Sequence, residues 1–137
     1  MFRRLIDTNI LYDSLADNTQ SQKAQKVISE PICIFEGVLY ELANLLKNTK
    51  GTDYACECLE EILSSPQIFK ILKASHIEKQ EALKIMKKYQ ANEPKKDYSL
   101  VDALQFIISQ REQLELHTLD ERMSFYDQGK VKVVVPY

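Results

Sequence analysis

Four carboxylates stand where acids are uncommon, each flanked by apolar residues. They lie in Leu5-Ile6-Asp7, Leu39-Tyr40-Glu41-Leu42, Leu100-Val101-Asp102-Ala103 and Leu116-His117-Thr118-Leu119-Asp120. Such acids are drawn toward the interior, unlike those of a charge run such as Glu60-Glu61. Brought together they repel, since two unit charges ~4 Å apart cost about 4 kcal/mol at an effective dielectric of ~20. A cluster of that kind persists only when protons or cations neutralise it. Hard divalent cations prefer oxygen ligands, so Mg²⁺ or Mn²⁺ suits a set made of carboxylates. A Mg²⁺ that keeps several waters can activate one as a nucleophile and stabilise charge on a phosphodiester oxygen. Each acid also has a plain local reading. Asp7 could simply end a strand, Glu41 could be a solvated helix position, and Asp120 could cap the turn after it. Asp102 could be a first-turn acid favoured by the helix dipole.

The elements that would position these acids follow from the apolar pattern. Phe2–Ile6 reads as a first strand ending at the polar triplet Asp7-Thr8-Asn9. Thr19 or Ser21 could cap a helix through about Ser29, which Pro31 stops. Ile32-Cys33-Ile34-Phe35 has the pattern of a strand buried on both faces. Val38, Leu39, Leu42, Leu45 and Leu46 recur at helical spacing, and Gly51 ends that helix. A helix over Asp53–Leu63 is broken by Pro66, and Ile68–Leu72 is a weaker strand. Ser75 caps a helix from about His76 to Tyr89. A polar loop over Ala91–Asp97 leads to Ser99, where Ser99-x-x-Asp102 resembles a capping box with Asp in place of Glu. Leu114–Leu119 reads as a strand, Met123–Tyr126 as a helical turn, and Val131–Val135 as the last strand. Strand and helix alternate throughout, which predicts an α/β fold with a mainly parallel sheet covered on both faces. In such sheets ligands lie beyond the carboxyl ends of the strands. Asp7 and Asp120 fall at two of those ends.

Composition bounds the remaining possibilities. A chain of 137 residues suits one domain spanning 1–137. Its 45% hydrophobic and 28% charged residues are too apolar for disorder. No apolar run is long enough for a membrane helix, and an acid at Asp7 comes too early for a signal peptide. Three cysteines, Cys33, Cys56 and Cys58, fit reduced thiols in the cytoplasm rather than disulfides. Three Gly and four Pro are too few for an all-β sandwich. The balance of 18 basic against 20 acidic residues shows no excess of positive charge for nucleic acid. Setting the four acids aside leaves 18 basic against 16 acidic residues, and two bound Mg²⁺ would carry the total from −2 to +2. A near-neutral sum can therefore average an acidic metal site and a mildly basic rim.

Read in order, the four segments resemble the motifs of PIN-domain proteins, metal-dependent ribonucleases that include the VapC-type toxins of prokaryotes. Leu5-Ile6-Asp7-Thr8-Asn9-Ile10-Leu11 is similar to the family's opening motif. Val38-Leu39-Tyr40-Glu41-Leu42, Ser99-Leu100-Val101-Asp102-Ala103 and Thr118-Leu119-Asp120 are similar to its second, third and fourth. The resemblance covers essentially the full chain. It implies a three-layer α/β/α fold and one or two Mg²⁺ or Mn²⁺ ions on Asp7, Glu41, Asp102 and Asp120. It implies that Asn9 orients the first acid or a bound water, and that Ser99 and Thr118 hold neighbouring carboxylates or phosphate. The implied activity is endonucleolytic cleavage of RNA, as the toxin of a toxin–antitoxin pair or as a housekeeping RNA-processing enzyme. A homodimer is implied as well. An antitoxin tail lying over the acids would contribute an Arg or Lys to them. Glu36 and Asp97 are extra acids near these motifs, and Glu36 replaces a small hydroxyl residue common in the family.

Lys95-Lys96, whose loop leads into Ser99 and Asp102, could hold a phosphate backbone; a solvated face is the plainer reading. His117 reads as a satisfied structural histidine. Tyr40, Tyr89, Tyr98 and Tyr126 read as core or dimer-interface residues. No phosphate-binding glycine loop and no Gly-x-Ser-x-Gly elbow is present. A phosphotransferase with a first-strand nucleophile usually needs a second acid where Asn9 stands. A silent RNA- or protein-binding α/β module is the reading from a different class, and a divalent-metal titration separates it from a nuclease.

Overall fold

The structure is a computed structural model, and it describes residues 1–92, 98–126 and 130–137. Its strands are β1 (Arg4–Ile6), β2 (Ile32–Phe35), β3 (Phe69–Leu72), β4 (Glu115–His117) and β5 (Val133–Val134). Its helices are α1 (Thr8–Leu15), α2 (Ser21–Val27), α3 (Glu36–Lys50), α4 (Thr52–Leu63), α5 (His76–Asn92) and α6 (Leu100–Glu112), and a 3₁₀ turn runs over Glu121–Tyr126. The described strands form one sheet in the order β3-β2-β1-β4-β5, and every pairing is parallel. The parallel sheet covered on both faces is as the alternation predicts, and its three-layer α/β/α arrangement is the one the resemblance implies.

Successive residues of a strand point to opposite faces. All four residues of β2 are buried, so both faces of the sheet are covered. Leu5, Ile6, Ile32, Ile34 and Leu116 are fully inaccessible at its centre. On the helices, Val38, Leu39, Leu42 and Leu46 of α3 are buried. In α6 every residue from Ala103 to Ser109 is buried, including Gln105. Gly51 takes φ +94° between α3 and α4, a backbone region that glycine enters without steric cost.

The sheet order fixes where the site must be. The chain lays β1, β2 and β3 in one direction, then returns to place β4 on the other side of β1. That reversal opens a crevice at the carboxyl ends of β1 and β4, the usual ligand position in open α/β sheets.

Several boundaries differ from expectation. α1 follows β1 directly and had no counterpart in the sequence pattern, because only Ile10 and Leu11 among its eight residues are large and buried. Ser21 is the first residue of α2 rather than its cap; its hydroxyl donates to Asp13 O. α2 ends at Val27, and α5 runs to Asn92 rather than Tyr89. The flanking strands are shorter than the apolar runs that suggested them: Phe2, Leu114, Leu119 and Val131 serve the core without lying in a strand, and Ile68 and Val135 are exposed. Tyr89 and Tyr98 are buried edge-to-face, with ring centroids 5.8 Å apart; Tyr40 is exposed. Cys33 and Cys58 are buried free thiols and Cys56 is exposed. Among the described residues no helix is long and apolar enough to cross a membrane.

Candidate active site

Asp7 is both the end of β1 and the N-cap of α1. With no linker between strand and helix, its carboxylate is held by the first turn that it caps. Its Oδ1 accepts from Thr8 N at 2.7 Å and from Gln105 Nε2 at 3.0 Å. Its Oδ2 accepts from Thr118 Oγ1 at 2.7 Å. The residue is 7% exposed, so these three donors replace water around a buried acid.

Thr8 carries the network outward. Its hydroxyl donates to Glu41 Oε1 at 2.9 Å, which joins α3 to α1. Glu41 lies off the buried stripe of α3 and is exposed as a whole residue, but its carboxylate end is half-buried against Thr8. Loss of surrounding water raises its carboxyl above the usual range; the Thr8 bond opposes this and the Asp7 charge adds to it.

Asp102 sits in the first turn of α6 within a complete capping box. Its N donates to Ser99 Oγ at 3.1 Å, and its Oδ2 accepts from Ser99 N at 3.1 Å. Burial pushes this carboxyl up to about 6; the charges of Asp7 and Asp120 add to the rise, and the bonds to Ser99 work against it. Asp120 follows β4, and its N donates to Thr118 Oγ1 at 3.0 Å. The Thr118 hydroxyl therefore bridges the first acid and the backbone of the fourth. Arg122 forks onto the Asp120 carboxylate.

Asp7, Glu41, Asp102 and Asp120 are thus coupled, Asp7 and Glu41 through Thr8 and the others through their charges. The Thr118 hydroxyl holds the Asp7 carboxylate, whereas Ser99 meets the Asp102 carboxylate through its backbone N and uses its hydroxyl to accept from Asp102 N. Asn9 is exposed on α1, and the hydrogen bonds on Asp7 come from Thr8, Gln105 and Thr118 instead. Glu36 opens α3 in a group of its own, accepting from the Tyr40 hydroxyl and pairing with Lys73 at 3.8 Å. Lys95, Lys96 and Asp97 lie outside the described residues. His117 is buried and meets Glu115 Oε1 through Nε2 at 3.3 Å; its Nδ1 has no partner among the described residues.

Three residues with roles here were not singled out from the sequence. Thr8 stood inside the opening motif, one position from the residue given the orienting role. Gln105 is a lone amide in the apolar run Ala103–Ile108, three residues after Asp102 and so on a neighbouring face of the helix. Arg122 lies two residues after Asp120.

Among the described residues no three His, Cys, Asp or Glu side chains form a ready-made metal cage. The donor set nonetheless fits a hard divalent ion. It offers carboxylate oxygens alone, and Asp102 and Glu41 are held up by burial and by neighbouring negative charge. A cation would relieve both effects.

The sequence matches the family model of the PIN domain over residues 4–129. The chain belongs to the PIN-domain family. Among solved structures it is similar to VapC20 of Mycobacterium tuberculosis, a sarcin–ricin-loop-cleaving toxin, with TM-score 0.72 and 16% identity over 90% of this chain and 95% of that one. It is similar to a toxin–antitoxin complex from Klebsiella pneumoniae, with TM-score 0.68 and 22% identity over 98% of each chain. It is also similar to VapBC2 of Rickettsia felis, solved on a DNA fragment from its promoter, with TM-score 0.70 and 15% identity over 98% of each chain. No curated protein sequence matches the chain.

Proposed function

We propose that this chain is a Mg²⁺- or Mn²⁺-dependent endoribonuclease, the toxin of a VapBC-type toxin–antitoxin pair acting in the cytoplasm. The observation that carries the reading is the Asp7 carboxylate, buried at the sheet's reversal point and held by three donors. Family membership and the likeness to a toxin and to toxin–antitoxin complexes support it.

Asp7, Glu41, Asp102 and Asp120 hold the metal. A bound divalent ion supplies a water acidified toward hydroxide and positive charge beside the phosphodiester. The chain's own contribution is prior arrangement. Thr8, Gln105 and Thr118 fix Asp7, Thr8 also steadies Glu41, and Ser99 fixes Asp102 before any ligand arrives. Such preorganisation spares the acids a reorientation during the reaction. RNA lies along the carboxyl edge of the sheet. A cleft of about 280 Å³ beyond the carboxyl ends of β2 and β3, lined by Glu36, Tyr40, Lys73 and Lys79, offers two lysines, one of them paired with Glu36. The partner is an antitoxin whose tail covers the acids, and the active form is a homodimer.

The test is Asp7→Asn. An Asn still caps α1, so folding survives while Mg²⁺-dependent RNA cleavage falls by at least about 100-fold. Induced expression of the unaltered chain arrests bacterial growth, and expression of the variant does not. An Asp7→Asn protein that cleaves RNA normally overturns the reading.

A further inference from the structure

Gln105 is fully buried, and its two amide atoms have unlike fates. Nε2 donates to Asp7 Oδ1 at 3.0 Å. Oε1 is inaccessible to solvent and has no hydrogen-bond partner among the described residues. For packing alone this is a poor choice, since a Leu or Met at the same point of α6 would leave no interior oxygen unsatisfied. The amide is kept in an apolar run at the expense of an orphaned acceptor. What it gains is its donor, and that donor is spent on Asp7.

A carboxylate oxygen has about two lone-pair positions. On Asp7 Oδ1 both are taken, one by Thr8 N at 2.7 Å and one by Gln105. On Oδ2 one is taken by Thr118 Oγ1 at 2.7 Å. The direction of that last bond is settled by Asp120 N, which donates to the same hydroxyl and leaves its proton for Asp7. One acceptor position remains, on Oδ2.

We propose that Gln105 is a positioning residue that makes Asp7 a one-oxygen ligand, closing Oδ1 and leaving Oδ2 alone for a divalent cation. The inference rests on the metal-dependent reading above. Without the amide, Oδ1 has a free lone pair and the carboxylate can rotate about its Thr8 and Thr118 bonds. The cation then meets an acid that is no longer aimed.

Gln105→Leu in the full chain tests this with Mn²⁺ alone as the probe, by calorimetry and by electron paramagnetic resonance of free Mn²⁺. The melting temperature should change little, because removal of the orphaned oxygen offsets the loss of one of the three donors on Asp7. Mn²⁺ affinity should fall about 10- to 100-fold, the usual loss when a group orienting a metal ligand is removed. At saturating Mn²⁺, kcat for RNA should fall while KM stays. If Gln105→Leu does not fold, Gln105→Met, with comparable helix propensity and no donor, carries the same measurements. Variants that bind Mn²⁺ within about twofold of the unaltered chain overturn the inference and leave the proposed function standing. Failure of both variants to fold also overturns it, since the amide would then be a packing element. An unaltered chain that binds no Mn²⁺ overturns both readings.

Discussion

Arg122 grips Asp120 with a two-pronged fork: Nε donates to Oδ1 and Nη2 to Oδ2, each at 2.9 Å. The Arg122 backbone N donates to Oδ1 as well, at 3.0 Å. Both oxygens of the fourth acid are therefore engaged by a cation that the chain itself supplies, and a metal ion approaching Asp120 must share or displace it. Arg122 is exposed, and pairs of that kind contribute less than about 1 kcal/mol. Arg122→Ala should leave the melting temperature nearly unchanged. It should tighten Mn²⁺ binding by about two- to fivefold, the equivalent of one exposed pair. Weaker binding in a calorimetric titration would mean that the guanidinium supports the metal rather than competing with it.

Asp102 makes stability depend on pH in a direction opposite to that of most acids. Its folded value of about 6 lies above the ordinary 3.8. At intermediate pH the unfolded chain has released this proton while the folded chain still holds it. The group therefore disfavours the folded state increasingly as pH rises through that window, and the full cost stands above about 6. Asp102→Asn removes the effect. The variant should gain melting temperature relative to the unaltered protein between pH 4 and pH 7, and added Mn²⁺ at pH 7 should stabilise only the unaltered one. Taking the difference cancels the titration of His117, which burial pushes down.

Ser99→Ala breaks the capping box at the start of α6. The loss should be about 1 kcal/mol, or roughly 4 °C in melting temperature. Ser99→Asn should restore most of it, because Asn caps as well as Ser. An unaltered melting curve in Ser99→Ala would show that the box adds nothing to the fold.

Thr118→Val keeps the shape and removes the hydroxyl between Asp7 and Asp120 N. The buried Asp7 carboxylate and the half-buried Asp120 N then each lose a partner, at about 1–3 kcal/mol for the buried one. The variant should unfold at clearly lower denaturant than Thr118→Ser, which keeps the bridge. Equal midpoints for the two would remove the bridge from the account.

Much of the architecture was legible because period and flanking residues agreed. Ile32-Cys33-Ile34-Phe35 reads as a strand covered on both faces and is buried at every position. Ser99 and Asp102 read as a capping box and form one. α1 was not legible, because its two large buried residues, Ile10 and Leu11, make too short a stripe for a helical period. The four candidate acids stand out by their apolar flanks, a local signal. Gln105 and Thr8 were not, because their roles exist only across α6–β1 and α1–α3 contacts that no local pattern encodes. Arg122 lies close to Asp120 in sequence, yet a charge following an acid by two residues is too common to single out.

The strand order also sets when the site can come into being. β1, β2 and β3 pair in the order in which they are made, but the donors on Asp7 lie 98 and 111 residues further along the chain. Loops of that length close late relative to local pairings. A chain emerging from the ribosome only as far as α5 holds Asp7 with neither Gln105 nor Thr118, and one side of β1 stands open. The full set of donors on Asp7 therefore exists only once α6 and β4 have been made.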